Sequence, residues 1–294
     1  MDTHDLIQDQ IQDVAARLAT GAVIPYLGPD MLSLCRNVTV PATPLALAEF
    51  MTAKVSVPHK IRKRLTQAAQ FIENFKHRKS VVHLMNEAFA ATPEPSALQR
   101  ALAASGARLW VDTWYDDSFA RALAQDGQPW VQVQALSQSE HFGQWTGAYA
   151  ADGTPLAELS TNPGRLLYKP WGAHSPVGNY LVSDSDYVEV LTEIDIQTPI
   201  PAAVQAWRTG RHFLFLGCRF NDQLTRSFAR QIMKRASQQH WAVLPDEPTR
   251  MEARFLAEQH ITRIPLTLAE FAPRLMAAMS NPCCAHLSQS APRP

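Results

Sequence analysis

Apolar positions recur at helical spacing between Asp5 and Thr20, where Leu6, Ile11, Val14, Ala15 and Leu18 mark one helix and Gly21 follows as its stop. The run AVIPYLG (22–28) is continuously apolar and ends at a glycine, which predicts a short buried strand. Residues 43–104 read as a helical lobe: LALAEFM, LTQAAQFIENF, SVVHLMNEAF and PSALQRALAAS are separated by Pro and Thr-Pro breaks. ARLWVDTWYDD (107–117) predicts a strand running into a loop, and SFARALAQ a return to helix. Residues 127–165 carry short aromatic and polar runs broken by Gly, Pro and Asn, and are expected to form an irregular insert of strands and loops. From GRLLYKPWG (164–172) onward strands and helices alternate. RHFLFLGC (211–218) is the most strand-like run, followed by helix, HWAVLPD, helix, ITRIPLT and a last helix. This alternation predicts an α/β fold, a doubly wound (Rossmann-like) parallel sheet carrying the inserted helical lobe. One domain is expected over 1–279 and a flexible tail over 280–294.

Charge narrows the function classes. Among 294 residues, 27 Lys plus Arg balance 27 Asp plus Glu, so no broad positive field exists to hold nucleic acid. No window approaches 18 uninterrupted apolar residues, and no membrane association is expected. The acidic, amphipathic N-terminus does not read as a secretory leader, and Cys35, Cys218, Cys283 and Cys284 form no CxxC pair. They are read as thiols of a cytoplasmic protein. Cys283, Cys284 and His286 supply three donors without a fourth, so no metal site is expected. Twelve glycines against 21 prolines is a poor supply for loops that must approach phosphate closely.

In a doubly wound sheet ligands bind beyond the carboxyl ends of the strands. The strand ends to inspect are Gly28-Pro29-Asp30, Asp112 to Asp117, Lys169-Pro170-Trp171-Gly172 and Gly217 to Asp222. IPYLGPDML is similar to a first strand with a Gly-Ala-Gly phosphate loop. VDTWYDDSFARAL is similar to a Thr-Thr-Asn-Tyr-Asp strand end, LLYKPWG to a strand with Lys-Leu-His-Gly, and HFLFLGCRFND to a Leu-Phe-Leu-Gly-Tyr-Ser-x-x-Asp segment. In this order, over roughly residues 10–278, the chain resembles the bacterial sirtuin-like domains, which bind and often hydrolyse NAD. The resemblance implies cofactor-binding positions at Gly28, Asp30, Thr113, Asp116, Gly172, Gly217, Cys218, Asn221 and Asp222.

The departures fall where the resemblance puts the chemistry. The family's catalytic Asn and His correspond here to Trp114 and Trp171, and an indole has no basic nitrogen to accept a proton. Pro29 removes a backbone donor from the phosphate loop, and Asp30 sets a carboxylate against a diphosphate. The two tryptophans are expected to meet across the vacated cleft and plug it; the alternative is that they are ordinary core aromatics. No catalytic residue is expected, with His174 as the fallback base. Asp116 and Asp117 are also adequate as helix caps, Asn221 and Asp222 as the start of a helix, and Cys218 as a small buried hydrophobe. The expectation is a non-catalytic binding or regulatory protein acting through a protein partner or as a homo-oligomer. It requires no cofactor and holds NAD or an adenine nucleotide weakly if at all. The alternative is an NAD hydrolase of the anti-phage type with an atypical residue set. A protein deacylase ranks last, because the Cys pairs that hold structural zinc in deacylase sirtuins are missing.

Overall fold

The structure, a computed structural model, describes residues 3–193 and 199–280. The tail expected beyond Ser280, with Cys283, Cys284 and His286, lies outside the described residues. In chain order the first half comprises α1 (Thr3–Ala19), β1 (Val23–Leu27), a short 3-10 helix (Pro29–Leu34), α2 (Pro44–Lys54), α3 (Leu65–Lys76), α4 (Arg78–Ala88), α5 (Ala97–Ala103), β2 (Leu109–Asp112), α6 (Ser118–Asp126), β3 (Val131–Ala135), β4 (Thr146–Ala150) and β5 (Pro155–Leu156). The second half comprises β6 (Leu166–Lys169), β7 (Gly172–Ala173), β8 (Asn179–Tyr180), α7 (Asp184–Glu193), α8 (Ala202–Arg208), β9 (His212–Leu216), α9 (Gln223–Ile232), β10 (His240–Val243), α10 (Arg250–Glu258), β11 (Ile261–Ile264) and α11 (Leu268–Ser280).

Nine strands form one sheet in the order β11-β10-β9-β1-β2-β6-β3-β4-β5, with every pairing parallel except β3–β4 and β4–β5 at one edge. Successive strands run one way from β1 through β2 and β6, and the other way through β9, β10 and β11. The order therefore reverses between β1 and β9, which is the topological switch point. Alternate residues of each buried strand feed the two faces. Val23, Leu27, Leu214 and Leu216 join α1, α5, α6 and α11 on one side, while Ile24, Tyr26, Phe213 and Phe215 face α8, α9 and α10 on the other. Helices on both faces make the sheet doubly wound, and no helix among the described residues is long and apolar enough to cross a membrane.

Two elements sit differently from the sequence reading. PSALQRALAAS was expected within the lobe, but α5 packs on α6, and its Leu98, Leu102 and Ala103 belong to the core under α1. The Ser96–Gln99 capping box starts α5 at the point where the chain leaves the lobe, so the lobe proper is α2 to α4. The stretch 127–165 is not an excursion from the sheet: β3 pairs in parallel with β6, and β4 and β5 extend that edge.

The lobe covers the carboxyl edge of the sheet through a third core cluster, which joins Leu47, Met51, Ile72 and Val81 to Leu32, Trp114, Tyr115 and Tyr180. Its polar anchor is Arg78, at the start of α4. Its guanidinium reaches Asp186 at 2.8 Å, Glu140 at 3.2 Å and Glu73 at 3.4 Å, and donates to the Tyr180 carbonyl. Asp186 is fully buried and also accepts from Ser137 Oγ and from the Val182 and Ser183 N–H groups. Arg78→Met leaves these carboxylates without their cation and is expected to cost about 3–5 kcal/mol in urea unfolding; a loss under about 1 kcal/mol would show the node to be dispensable.

Candidate active site at the carboxyl edge of the sheet

β1, β2, β6 and β9 are mutually parallel, so the segments following Leu27, Asp112, Lys169 and Leu216 emerge on one edge. The structure brings Gly28 and Gly217 into direct backbone contact there. A Cβ on Gly28 would lie 2.3 Å from the Gly217 carbonyl oxygen, and a Cβ on Gly217, which has φ +66°, would lie 2.6 Å from the Met31 nitrogen. The loop's donors are spent inside this contact. Gly28 N–H donates to Leu216 O at 2.8 Å, Asp30 N–H to Gly217 O at 3.1 Å and Met31 N–H to Gly28 O at 3.2 Å, while Pro29 has none. Proline at the first helical position favours the 3-10 turn that closes the loop. The Asp30 side chain is exposed overall, yet partial desolvation of its carboxyl raises its pKa, with the Arg219 charge pulling the other way.

The β9 side is equally self-satisfied. Asp222 caps α9 by accepting from Thr225 N–H at 2.8 Å. Glu252, buried on α10, accepts from Phe220 N–H at 3.2 Å and Arg219 Nε at 3.3 Å. Asn221 is exposed. The Cys218 thiol is buried against the Tyr26 and Leu216 carbonyls, and burial pushes its pKa up, so it is an inert thiol.

Between β2 and β6 the floor is an ion pair. Lys169 Nζ donates to Asp112 Oδ2 at 2.7 Å and to the Asp116 carbonyl at 2.8 Å, with both side chains almost fully buried. Burial pushes the Asp112 carboxyl up to about 6 against the opposing pull of Lys169. Asp112 Oδ1 holds Trp114 N–H at 3.1 Å, Thr113 donates through both N–H and Oγ1 to Leu27 O, and Asp116 accepts from Ser118 N–H at 2.9 Å.

Above that floor stands an aromatic wall. Trp114 is 1% exposed, donates its indole N–H to Pro41 O at 2.9 Å and packs on Phe89 and Tyr115. Trp171 is half-buried, with its ring against Tyr187 and Phe228 at 5.7 and 6.1 Å. The expected meeting of the two indoles takes another form: Tyr115 and Tyr187, hydroxyls 3.3 Å apart, connect them. Gly172 lies in the β7–β8 ribbon opposite Tyr180.

His174 is placed beside Asp117, Nδ1 to Oδ2 at 3.2 Å, and Ser175 Oγ lies 3.3 Å from the same nitrogen. Both partners share Nδ1, so Ser175 is not set up as a nucleophile with His174 as its base, which requires the two ring nitrogens to serve different partners. The hydrogen bond to Asp117 raises the His174 pKa, with desolvation opposing it. A cleft of about 530 Å³ opens on the far side of Asp117, lined by Arg121, Trp130, Gln132, Asp152 and Ser175, away from the switch point.

A family model described as SIR2-like domain matches residues 108–264, more than half of the 294 residues. The chain belongs to the SIR2-like domain family. No curated protein matches it. SIR2-like domains are NAD-related, and the matched span includes the β2, β6 and β9 strand ends. Sequence reasoning located the strand ends of this SIR2-like domain but missed the Asp112–Lys169 pair, the Glu252 tether and the Asp117–His174 contact. A lysine and an aspartate 57 residues apart carry no local signal of pairing.

Three measurements test this geometry. Lys169→Met strands a buried carboxylate and is expected to cost about 3–5 kcal/mol, with Asp112→Asn added to it restoring part of the loss. Trp114→Ala is expected to cost about 3–5 kcal/mol by cavity formation, and more than Trp171→Ala, because Trp171 is only half-buried. By NMR, His174 should titrate above the usual value of about 6.5, and in Asp117→Asn its midpoint should fall. A raised folded value means that this pair's stabilisation is complete below about pH 6.5 and fades as pH rises through the folded midpoint.

Proposed function

We propose that this SIR2-like domain does not turn over NAD and acts by binding, as a regulatory or interaction module with a protein partner. The observation that carries the reading is the spent phosphate loop: each backbone donor from Gly28 to Met31 is engaged or missing. A pyrophosphate needs such donors, and here it would also meet the Asp30 carboxylate, so a dinucleotide does not fit this set of residues. The positions that the resemblance assigns to the catalytic Asn and His are occupied by indoles of the aromatic wall, which offer no base. The α9 N-terminus is already occupied by the Asp222 carboxylate, which leaves at most a weak contact for an adenosine group.

The second reading is an NAD hydrolase with an atypical set, of the kind that acts in anti-phage defence. The partly exposed His174 held by Asp117 favours it, since Asp117 and Ser175 both meet Nδ1 and neither meets Nε2. The raised pKa argues the other way, because more of the imidazole is protonated at neutral pH and less is available as a base.

Nicotinamide release by the purified chain separates the two. The expected rate equals that of buffer alone from pH 6 to 9. Release that climbs with pH through the His174 midpoint and disappears in His174→Ala would overturn the non-catalytic reading.

A further inference from the structure

Two helices of this neutral chain carry stripes of surface charge of opposite sign. On α9 and just past its end, Arg226, Arg230 and Lys234 follow one another at intervals of four residues, with Arg226 and Arg230 opposite the side that buries Phe228, Ala229 and Ile232. Arg254 of α10 joins them across a groove of about 310 Å³, which also holds the half-exposed Met251. A second hollow of about 470 Å³, lined by Arg230, Lys234 and Arg235, continues it past Glu258. Arg226 is fixed by donating to Phe220 O at 2.6 Å, and Glu258 is already bonded to Arg254 at 2.6 Å and Arg230 at 3.4 Å. Arg226, Arg230 and Arg254 against Glu258 leave the groove cationic among the described residues.

The matching feature is on α1. Asp5, Asp9 and Asp13 recur at the same four-residue interval, opposite the side that buries Ile11, Val14 and Leu18. Asp5 and Asp9 are exposed, and Asp13 is partly engaged by Arg17 at 2.7 Å. Asp5 to Asp13 covers eight residue steps, about 12 Å of helix, and Arg226 to Lys234 covers the same number of steps. Leu6 is 43% exposed beside the acidic stripe and Met251 is 50% exposed in the groove, so the surfaces match in an apolar contact as well as in charge.

The geometry points to a second copy of this chain as the occupant: the acidic face of α1 docks into the cationic groove between α9 and α10 of the next molecule. α1 packs on one face of the sheet and α9 on the other. The stripes of one molecule therefore point apart and cannot form a self-complementary patch, so the contact is heterologous and builds head-to-tail chains or closes into a ring. Zero net charge removes the long-range repulsion that would oppose such stacking. The inference is independent of the proposed loss of NAD turnover.

Sedimentation velocity on the full chain tests it, over a concentration series at about 20 mM and about 500 mM NaCl, where screening lengths differ several-fold. The wild-type mass is expected to rise with concentration beyond dimer at low salt and to return to monomer at high salt. Asp5→Asn with Asp9→Asn, and separately Arg230→Gln with Arg254→Gln, should each weaken association by about tenfold or more. An equimolar mixture of the two variants should stop at a heterodimer, because each retains one intact face. A wild type that stays monomeric at low salt, stops at dimer, or assembles equally well in both variants would overturn the proposal, as would a mixture that forms no heterodimer.

Discussion

The contact between Gly28 and Gly217 sets the character of the rest of this molecule. In a doubly wound sheet the strands diverge at the switch point, and the gap between the loops above it is where a ligand is received. Here the gap is occupied by main chain: the Gly217 carbonyl lies where a side chain on Gly28 would begin. Glycine at both positions permits the approach, and proline at 29 removes the one donor left unmatched while favouring the 3-10 turn that draws Asp30 and Met31 inward. Polar groups that a nucleotide site holds in reserve are used to join two loops of the protein.

The same exchange of readiness for internal bonding runs along the edge. Asp112, Lys169 and Asp116 satisfy one another beneath the aromatic wall, and Asp222 and Glu252 saturate the turn after β9. A buried ion pair adds little to stability over a well-packed apolar pair, but breaking it is costly, so these residues constrain which loop arrangement is adopted. The wall from Phe89 through Trp114, Tyr115 and Tyr187 to Trp171 then ties the lobe to the sheet, and Arg78 closes the other side. Preorganised polar sites are commonly less stable than the same positions filled and paired, and this edge is filled and paired.

Much of this was legible in the chain. The apolar runs at 22–28 and 213–218 read directly as β1 and β9, because strands buried on both faces need no alternation. The motifs at the strand ends located the edge and drew attention to Pro29, Asp30, Trp114 and Trp171. Residues 127–165 were harder, since β3 to β5 are short and carry Gln, Thr, Gly and Pro among their apolar residues, and packing rather than pattern decides their pairing. α5 follows the lobe in sequence but belongs to the core, a choice made by Leu98 and Leu102 finding α1 and α6. Pairings such as Asp112 with Lys169 join residues distant in sequence and leave no periodic trace, and the internal use of the 28–31 donors depends on backbone geometry that residue types do not specify.

The proposed closure of the switch point to a pyrophosphate is tested most directly by calorimetric titration of the purified chain with NAD, ADP-ribose and adenosine. The account predicts affinities that are weak and similar for all three ligands, because a closed loop gives the diphosphate nothing to add. NAD or ADP-ribose binding tighter than adenosine by a hundredfold, about 2.7 kcal/mol, would contradict it.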